Sequence, residues 1–204
     1  MKQIFFLLLF LIVFEDTKAQ EPAESVFPVK DSAIYYERIV TLDSTTKENI
    51  YKGVKSWGVN AFKSQKDVLQ ADDKEIGLIA YKYWFSEIYN AEFEGIKSSA
   101  EWKYNATMKI FIKDDKIKIV IQDIGLREGG PILTFKADYE RVIKEMETSN
   151  KTYAKYSKKI YTPELKQKHF SEAKRNFEKA NTSILSTIQS LVSYLKSGNS
   201  EFDF

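Results

Sequence analysis

The sequence predicts an α+β domain, in which helices pack on one face of a mainly antiparallel sheet and a long helix follows at the C-terminus. Three observations support this class. Residues 98–127 alternate between apolar and polar side chains in two successive runs, as in a hairpin of half-buried strands. A helical repeat at 45–61 precedes these strands, and a longer one occupies 162–197. The resulting order is strand, helix, four strands and helix, which favours an antiparallel meander over a parallel sheet.

The hairpin at 98–127 sets the register of the predicted sheet. Apolar side chains occupy the even positions from 100 to 112 and the odd positions from 117 to 121. A two-residue turn at Asp114 and Asp115 places Ile112 opposite Ile117, and the apolar side chains of both strands then share one face. Asp-Asp meets the backbone needs of such a turn less well than Asn-Gly or Asp-Gly, so a longer loop is an alternative.

The elements before the hairpin follow from local patterns. The stretch 34–42 is rich in Ile, Tyr and Val, which is typical of a strand. Thr45 and Glu48 fit a capping box that begins an amphipathic helix of about four turns, and we expect Trp57 to anchor that helix in the core. A short strand at 67–71, a strong strand at 75–87 and a loop at 88–97 are expected to follow.

The C-terminal third is predicted to be helical. A short amphipathic helix is expected at 139–146, and Pro163 at a first helical position begins a long one. The long helix has an apolar stripe from Leu165 to Leu195. About 34 residues at 1.5 Å per residue give a length of roughly 50 Å, which is more than a small sheet covers.

The excess length of this helix determines what each half is expected to contact. The half from Ile184 onwards is expected to pack on the sheet. The half that contains Phe177 is expected to lean on the helix at 139–146 or to stay exposed. An exposed Phe177 would be a partner site, because contiguous apolar surface on a soluble protein usually marks an interaction.

Residues 1–19 have the features of a secretory signal peptide. Lys2 provides the positive charge, the stretch 4–14 is continuously apolar, and Ala19 precedes the predicted cleavage site. The apolar stretch is too short to span a hydrocarbon core of roughly 30 Å. We therefore expect a secreted or periplasmic protein with no transmembrane segment after cleavage. The rest divides into an extended lead-in at 20–30, an α+β domain at 31–130 and a helical extension at 131–204 that packs on the domain.

The composition excludes several classes of function. Lys and Arg number 31 and Asp and Glu number 29, so the formal net charge of +2 provides no global field for nucleic acid. The chain has no cysteine, which excludes disulfides, thiolate metal sites and thiol catalysis. Its one histidine, His169, lies on the apolar stripe of the long helix, where a core histidine is a simpler interpretation than a catalytic base. No cofactor and no metal site is predicted.

Carboxylates come close together in sequence at two places, Asp72 with Asp73 and Glu75, and Asp114 with Asp115. Paired carboxylates support acid–base catalysis or calcium binding. Neither group has the spacing of a calcium loop, and both fall where strands begin or turn, where Asp is favoured for its backbone conformation. We therefore interpret both groups as turn residues, and no catalytic residue is predicted.

A ligand surface is predicted on the more polar face of the hairpin. Basic side chains interleaved with an aromatic ring suit an anionic partner, although an ordinary solvated lysine face explains the same pattern. The residues singled out for a ligand or partner surface are Lys103, Lys109, Phe111 and Lys118, together with Phe177 on the long helix. The expected partners are an envelope protein or an anionic polymer. The export signal and the near-neutral charge argue against nucleic acid.

Several short stretches carry a resemblance to a known family. They are Phe27-Pro28, the run from Thr46 to Tyr51, Trp57, and the run from Asp73 to Gly77 that leads into the long strand. With these residues, the segment from about 26 to 130 resembles a family of secreted domains of unknown function from Bacteroidota with a TATA-binding-protein-like (TBP-like) fold. The resemblance implies that fold, and it implies no activity, cofactor or site residue.

These inferences together predict a non-catalytic binding or interaction module of the bacterial periplasm or cell exterior. Two alternatives stay open. A hydrolase with unrecognised carboxylates would show a deep pocket lined by carboxylates whose pKa values are raised. A structural envelope component would expose an apolar strip on the long helix.

Overall fold

The structure is a computed structural model that describes residues 27–31, 33–62, 64–93, 96–126, 130–131 and 163–198 of the chain. Its strands are β1 (Val29–Lys30), β2 (Ala33–Ile34), β3 (Tyr36–Thr41), β4 (Leu69–Asp73), β5 (Leu78–Phe93), β6 (Ile96–Lys113), β7 (Lys116–Leu126) and β8 (Gly130–Pro131). Its helices are α1 (Lys47–Ala61), α2 (Gln65–Val68) and α3 (Pro163–Lys196).

One antiparallel sheet forms the body of the domain. Its strands lie in the order β3, β7, β6, β5 and β4, with β8 paired to the end of β7, while β1 and β2 form a separate ladder. Helices α1 and α3 contact each other and pack on one face of the sheet, which we call the core face. The predicted α+β class, with helices on one face of an antiparallel sheet and a long C-terminal helix, is confirmed.

The register predicted for the hairpin of β6 and β7 is confirmed. Ile112 faces Ile117, Met108 faces Ile121, and the turn has two residues. The second turn residue, Asp115, has a φ of 59°. Asp tolerates this left-handed conformation better than most residues, because its short polar side chain bonds to nearby backbone.

A β-bulge in β7 shifts the register once. Thr107 faces Gln122 whereas Asn105 faces Gly125, so β7 has one residue more than β6 at this point. Asp123 lies in the bulge with a φ of 54°. Beyond the bulge Ile124 is buried, which means that the extra residue keeps the apolar alternation on the core face.

The prediction of a loop at 88–97 is wrong, because β5 extends to Phe93 and β6 begins at Ile96. The two strands pair without a register shift as far as Phe93 and Ile96. Aromatic packing supports this extension: the Tyr89 and Trp102 rings lie 4.7 Å apart, edge to face, and the hydroxyls of Tyr89 and Tyr104 share a hydrogen bond. The sequence pattern failed here because these contacts join residues on opposite strands.

Other strand boundaries differ from the prediction by a few residues. The first long strand, β3, begins at Tyr36, and the short strand β4 occupies 69–73 rather than 67–71. The strand expected from residue 75 begins at Leu78, because Gly77 still belongs to the turn with a φ of 73°. The Gly77 carbonyl accepts a hydrogen bond from the Ile112 amide at 2.7 Å, which fixes this turn against β6.

Helix α1 has the predicted length, but its cap is Thr46 rather than Thr45. The Thr46 hydroxyl accepts a hydrogen bond from the Asn49 amide. Thr45 belongs instead to the preceding turn, since its amide donates to the Asp115 carboxylate at 2.9 Å and its carbonyl accepts from the Asp115 amide. Trp57 is 3% exposed, which confirms its role as the anchor of the helix in the core.

Helix α3 begins at Pro163 as predicted, and its C-terminal half packs on the sheet. Ile184, Ile188 and Leu191 are buried in the common core. The alternative in which Phe177 stays exposed as a partner residue is wrong, because it is 7% exposed and its ring packs edge to face on Phe27 at 5.8 Å. Phe27 therefore covers this part of the apolar stripe.

Some predictions fall outside the described residues. They are the signal peptide at 1–19, the helix at 139–146, and the side chains of Leu165 and His169. Among the described helices, none is both long enough and apolar enough to cross a membrane.

Candidate functional site

The candidate site lies on the sheet face opposite α1 and α3, which we call the open face. Side chains alternate along each strand, so the odd positions of β6 from 101 to 113 lie on this face. The register of β7 then adds Lys116 and Lys118, because they face Lys113 and Phe111. The structure thus places the predicted residues Lys103, Lys109, Phe111 and Lys118 on one face of the sheet.

A compact group of basic and apolar side chains occupies the open face near the β6–β7 turn. Ile39 on β3 and Phe111 on β6 lie on either side of Lys118, in one row across three strands. The Lys118 ammonium lies over the Phe111 ring, 5.1 Å from its centre. We call Ile39, Lys109, Phe111, Lys113, Lys116 and Lys118 the basic–apolar cluster.

The apolar members of this cluster are open to solvent. Ile39 is 65% exposed and Phe111 is 39% exposed. Together with Lys113, Lys116, Ile117 and Lys118 they line a shallow groove of about 370 Å³. This volume lies at the low end of the range for small-molecule sites.

The lysines of the cluster form no salt bridge within the described part of the chain. The salt bridges that join described side chains involve Lys52, Lys55, Lys74 and Lys103. None of them involves a lysine of the cluster. Four ammonium groups around two exposed apolar side chains therefore provide both a positive field and an apolar contact.

Lys103 does not belong to the cluster. It lies six residues before Lys109 on β6, which is roughly 20 Å along an extended strand. Its ammonium is 3.8 Å from the Glu101 carboxylate, which lowers the net charge at that end of the face. The prediction that Lys103, Lys109 and Lys118 share a face is right, whereas Lys103 is too distant to bind the same small group.

The open face is less exposed to solvent than its pattern of polar residues predicts. Val120 is 4% exposed and Ala80 is 5% exposed, although both lie on this face. Short side chains between longer neighbours such as Lys109 are shielded by those neighbours. The surface around the cluster therefore combines short apolar side chains close to the sheet with the charged ends of the longer lysines.

The carboxylates of the β6–β7 turn are engaged by backbone groups. Asp114 accepts a hydrogen bond from the Lys47 amide at 2.6 Å, and Asp115 accepts from the Thr45 amide. A carboxylate at the first turn of a helix stabilises unpaired amides and the helix dipole. Both residues thus connect the turn to the start of α1, which agrees with their interpretation as turn residues.

The carboxylates near β4 also have structural partners. Asp72 accepts hydrogen bonds from Tyr51 and from Lys55, at 2.6 Å for the latter. The Lys55 and Tyr51 hydrogen bonds hold the pKa of Asp72 below its ordinary value. Asp73 accepts from the Ile76 amide at 3.0 Å. In the described part of the chain no three potential metal ligands come together.

The buried tyrosines form part of the core. Tyr36 donates a hydrogen bond to Asn181 on α3 at 2.7 Å, and burial raises its pKa. Burial also raises the pKa of Tyr89 to about 12. These phenols stay neutral at ordinary pH and connect strands to each other and to α3, so they contribute no acid–base site.

Sequence reasoning missed one member of the basic–apolar cluster, Ile39. The alternation of the hairpin already predicts that Lys113 and Lys116 share the open face with the other lysines. Ile39 required knowledge that β3 pairs with β7, in a register that places it beside Lys118. Only the pairing of strands distant in sequence supplies that information.

Comparisons with known proteins agree with this architecture. Residues 36–126 match the model of a family described as a domain of unknown function, DUF4468, with a TBP-like fold. A search of curated proteins finds no match. Two solved structures are similar to the chain, one from Bacteroides ovatus and one from Parabacteroides distasonis.

The structure from Bacteroides ovatus is a DUF4468 family protein. It is 13% identical to this chain with a TM-score of 0.51, and the match covers 81% of this chain and 90% of the other. The structure from Parabacteroides distasonis is a TBP-like protein, 18% identical with a TM-score of 0.37. That match covers 49% of this chain and 60% of the Parabacteroides chain. Residues 36–126 therefore match the DUF4468 family model, and the chain shares the TBP-like fold of that family.

Proposed function

We propose that the protein is an exported, non-catalytic binding module of the bacterial periplasm or cell exterior, which holds an anionic ligand on the open face of its sheet. The observation that carries the proposal is the basic–apolar cluster. Its lysines lie around two exposed apolar side chains and form no salt bridge with a described carboxylate. A fixed patch of this kind attracts anions although the whole chain is nearly neutral.

The carboxylates that lie close together in sequence form hydrogen bonds within the fold, which supports a binding role over a catalytic one. Asp114 and Asp115 stabilise the start of α1, and Asp72 bonds to Tyr51 and Lys55. A general acid needs a carboxyl group with a raised pKa, and that of Asp72 is lowered. These groups are thus adapted to hold the fold together.

The export part of the proposal depends on Lys2, the apolar stretch 4–14 and Ala19. Mass spectrometry of the intact protein from the native envelope tests it. We expect a mature chain that begins at Gln20, and a mass that includes residues 1–19 would contradict export with cleavage.

Binding of two soluble polyanions, dextran sulfate and inorganic polyphosphate, tests the ligand class. A charge-reversed variant changes Lys113, Lys116 and Lys118 to Glu. We expect it to bind more than about tenfold more weakly, for which a loss of 1.4 kcal/mol suffices. Binding by the native protein should also weaken as salt rises, because exposed charges are screened.

The matched control reverses three exposed lysines on the helices, Lys52, Lys168 and Lys174, and so changes the net charge by the same amount. It should retain most of the affinity. Equal losses in both triple variants would show that net charge alone drives binding, and the open face would then not be the site.

A further inference from the structure

We infer that the basic–apolar cluster docks the protein on a membrane surface that carries anionic lipids. This inference rests on the proposed function and names the ligand class for the same site. It explains a feature that an anionic ligand by itself leaves unexplained, namely the exposed aliphatic side chain of Ile39 beside Phe111 in the cluster.

The apolar pair has the position of a membrane contact. Ile39 and Phe111 are separated by one strand, and two strand spacings place their backbones roughly 10 Å apart. Both side chains leave the sheet on the same face, so a flat surface contacts both at once. Burial of such side chains at the boundary between headgroups and acyl chains removes their apolar area from water.

The lysines surround this pair. Lys118 lies between Ile39 and Phe111, Lys113 and Lys116 lie in the next row towards the turn, and Lys109 lies in the row on the other side. A lysine keeps its aliphatic stem on apolar surface while its ammonium reaches a polar layer. Around an inserted pair of apolar side chains, that polar layer is the lipid phosphates, and anionic leaflets attract such clusters.

A soluble polyanion fits the cluster less completely. It would engage the lysines and leave Ile39 in water, where its 65% exposure is unfavourable. An aliphatic side chain also has no aromatic face on which a sugar or a base stacks. The groove beside the pair is shallow, which suits a broad surface better than a single enclosed molecule. The aliphatic part of the cluster therefore favours a lipid surface over a polymer.

Cosedimentation of the mature chain with vesicles tests this inference. We expect little binding to vesicles of phosphatidylcholine alone, and binding that rises with the proportion of phosphatidylglycerol. Binding should weaken at high salt, because the attraction of the lysines to the surface is screened. The charge-reversed variant with Lys113, Lys116 and Lys118 changed to Glu should lose it.

The decisive variant changes both apolar residues, Ile39→Ser and Phe111→Ser. It should bind vesicles about tenfold more weakly or worse, because burial of one large apolar side chain is already worth that factor. Its binding to dextran sulfate should stay within about twofold of the native value, since all the lysines remain. The matched control, Val59→Ser with Leu185→Ser, removes two similarly exposed apolar side chains from the helices and should leave vesicle binding unchanged.

The outcomes separate this inference from the proposed function. Binding to dextran sulfate without binding to anionic vesicles would overturn the inference and leave the proposed function standing. Vesicle binding that survives the double serine variant, in a protein with a native circular dichroism spectrum and melting curve, would also overturn it. Failure to bind either probe would overturn both. If Phe111→Ser disturbs folding, Ile39→Ser alone decides the question, because Ile39 is the more exposed of the two.

Discussion

The two faces of the sheet carry opposite chemistry on the same strands. On β6, Met108, Ile110 and Ile112 are at most 1% exposed on the core face, whereas Phe111 between them is 39% exposed on the open face. The backbone pairing is common to both faces, so the difference arises from what covers each one. Helices α1 and α3 cover the core face, and this separates the residues that determine the fold from those available for binding.

Polar groups differ between the faces as well. On the core face, the Trp57 indole donates to Ser190 at 3.1 Å, and Ser56 and Tyr194 share a hydrogen bond of 2.6 Å between α1 and α3. Such bonds hold the two helices in one arrangement, since unpaired buried polar groups are costly. On the open face, the lysines of the basic–apolar cluster leave their hydrogen-bonding capacity to solvent or a ligand.

The strongest test of this comparison truncates side chains on each face in turn. Ile110→Ala and Ile119→Ala should each destabilise the protein by about 2–5 kcal/mol, because both are fully buried and leave a cavity. Lys109→Ala, one residue from Ile110 but on the open face, should change stability by no more than about 0.5 kcal/mol. Denaturant unfolding measures all three, and a larger loss for Lys109→Ala would show that the faces are assigned the wrong way round.

A second test concerns the turn that connects β4 and β5 at the edge of both faces. Gly77→Ala should cost about 1–3 kcal/mol, because Gly77 has a φ of 73° and an added Cβ would meet the Ile112 carbonyl oxygen. Gly198→Ala is the matched control, since Gly198 also has a positive φ, 64°, but an added Cβ has open space around it. Thermal melts should show the larger loss for Gly77→Ala, and equal losses would mean that backbone conformation alone matters.

A smaller effect on stability is expected when the hydrogen bonds of Asp72, at the margin of the core face, are removed. The pKa of Asp72 is lowered from 3.8, first by Lys55 and then by Tyr51. The ionised carboxylate therefore stabilises the folded state when the pH is above the pKa that Asp72 has in the unfolded chain. This contribution is lost as the pH falls through the lower pKa that Asp72 has in the folded protein. Asp72→Asn should lower the free energy of unfolding by about 1 kcal/mol at neutral pH, a modest amount because the Asp72–Lys55 pair is partly exposed. Below pH 3.8 the variant should lose less stability than the native protein.

Denaturant midpoints across acidic and neutral pH measure this effect. The exposed Glu75 provides a control, since Glu75→Gln removes a carboxylate from the turn that follows β4. It should leave the midpoints close to native at every pH. An Asp72→Asn protein with an unchanged acid profile would show that its hydrogen bonds contribute nothing to stability.

Much of the fold was predictable where neighbours in sequence are also neighbours in space. The alternation from 100 to 121 gave the hairpin and its register, since a two-residue turn leaves one pairing that buries all the apolar side chains. Pro163 gave the start of α3 for a similar reason, because helix starts depend on local backbone chemistry. The resemblance at 26–130 is likewise confirmed by the family match at 36–126.

Predictions failed where a distant segment decided the outcome. The cap of α1 moved to Thr46 because Asp115 on the hairpin engages both backbone groups of Thr45. The loop expected at 88–97 became paired strand, where Tyr89 packs on Trp102. Phe177 became buried because Phe27, far away in sequence, covers it. In each case contacts with residues distant in sequence outweighed the local pattern.

The sequence by itself determined which residues alternate, where the long helix begins, and which lysines share a face with Phe111. Only the tertiary structure decided that Ile39 joins Lys118 and Phe111. The physical reason is that alternation within a strand is set by backbone geometry, which each residue carries locally. The order of strands in a sheet is set instead by which apolar surfaces cover one another, and that choice depends on the whole chain at once.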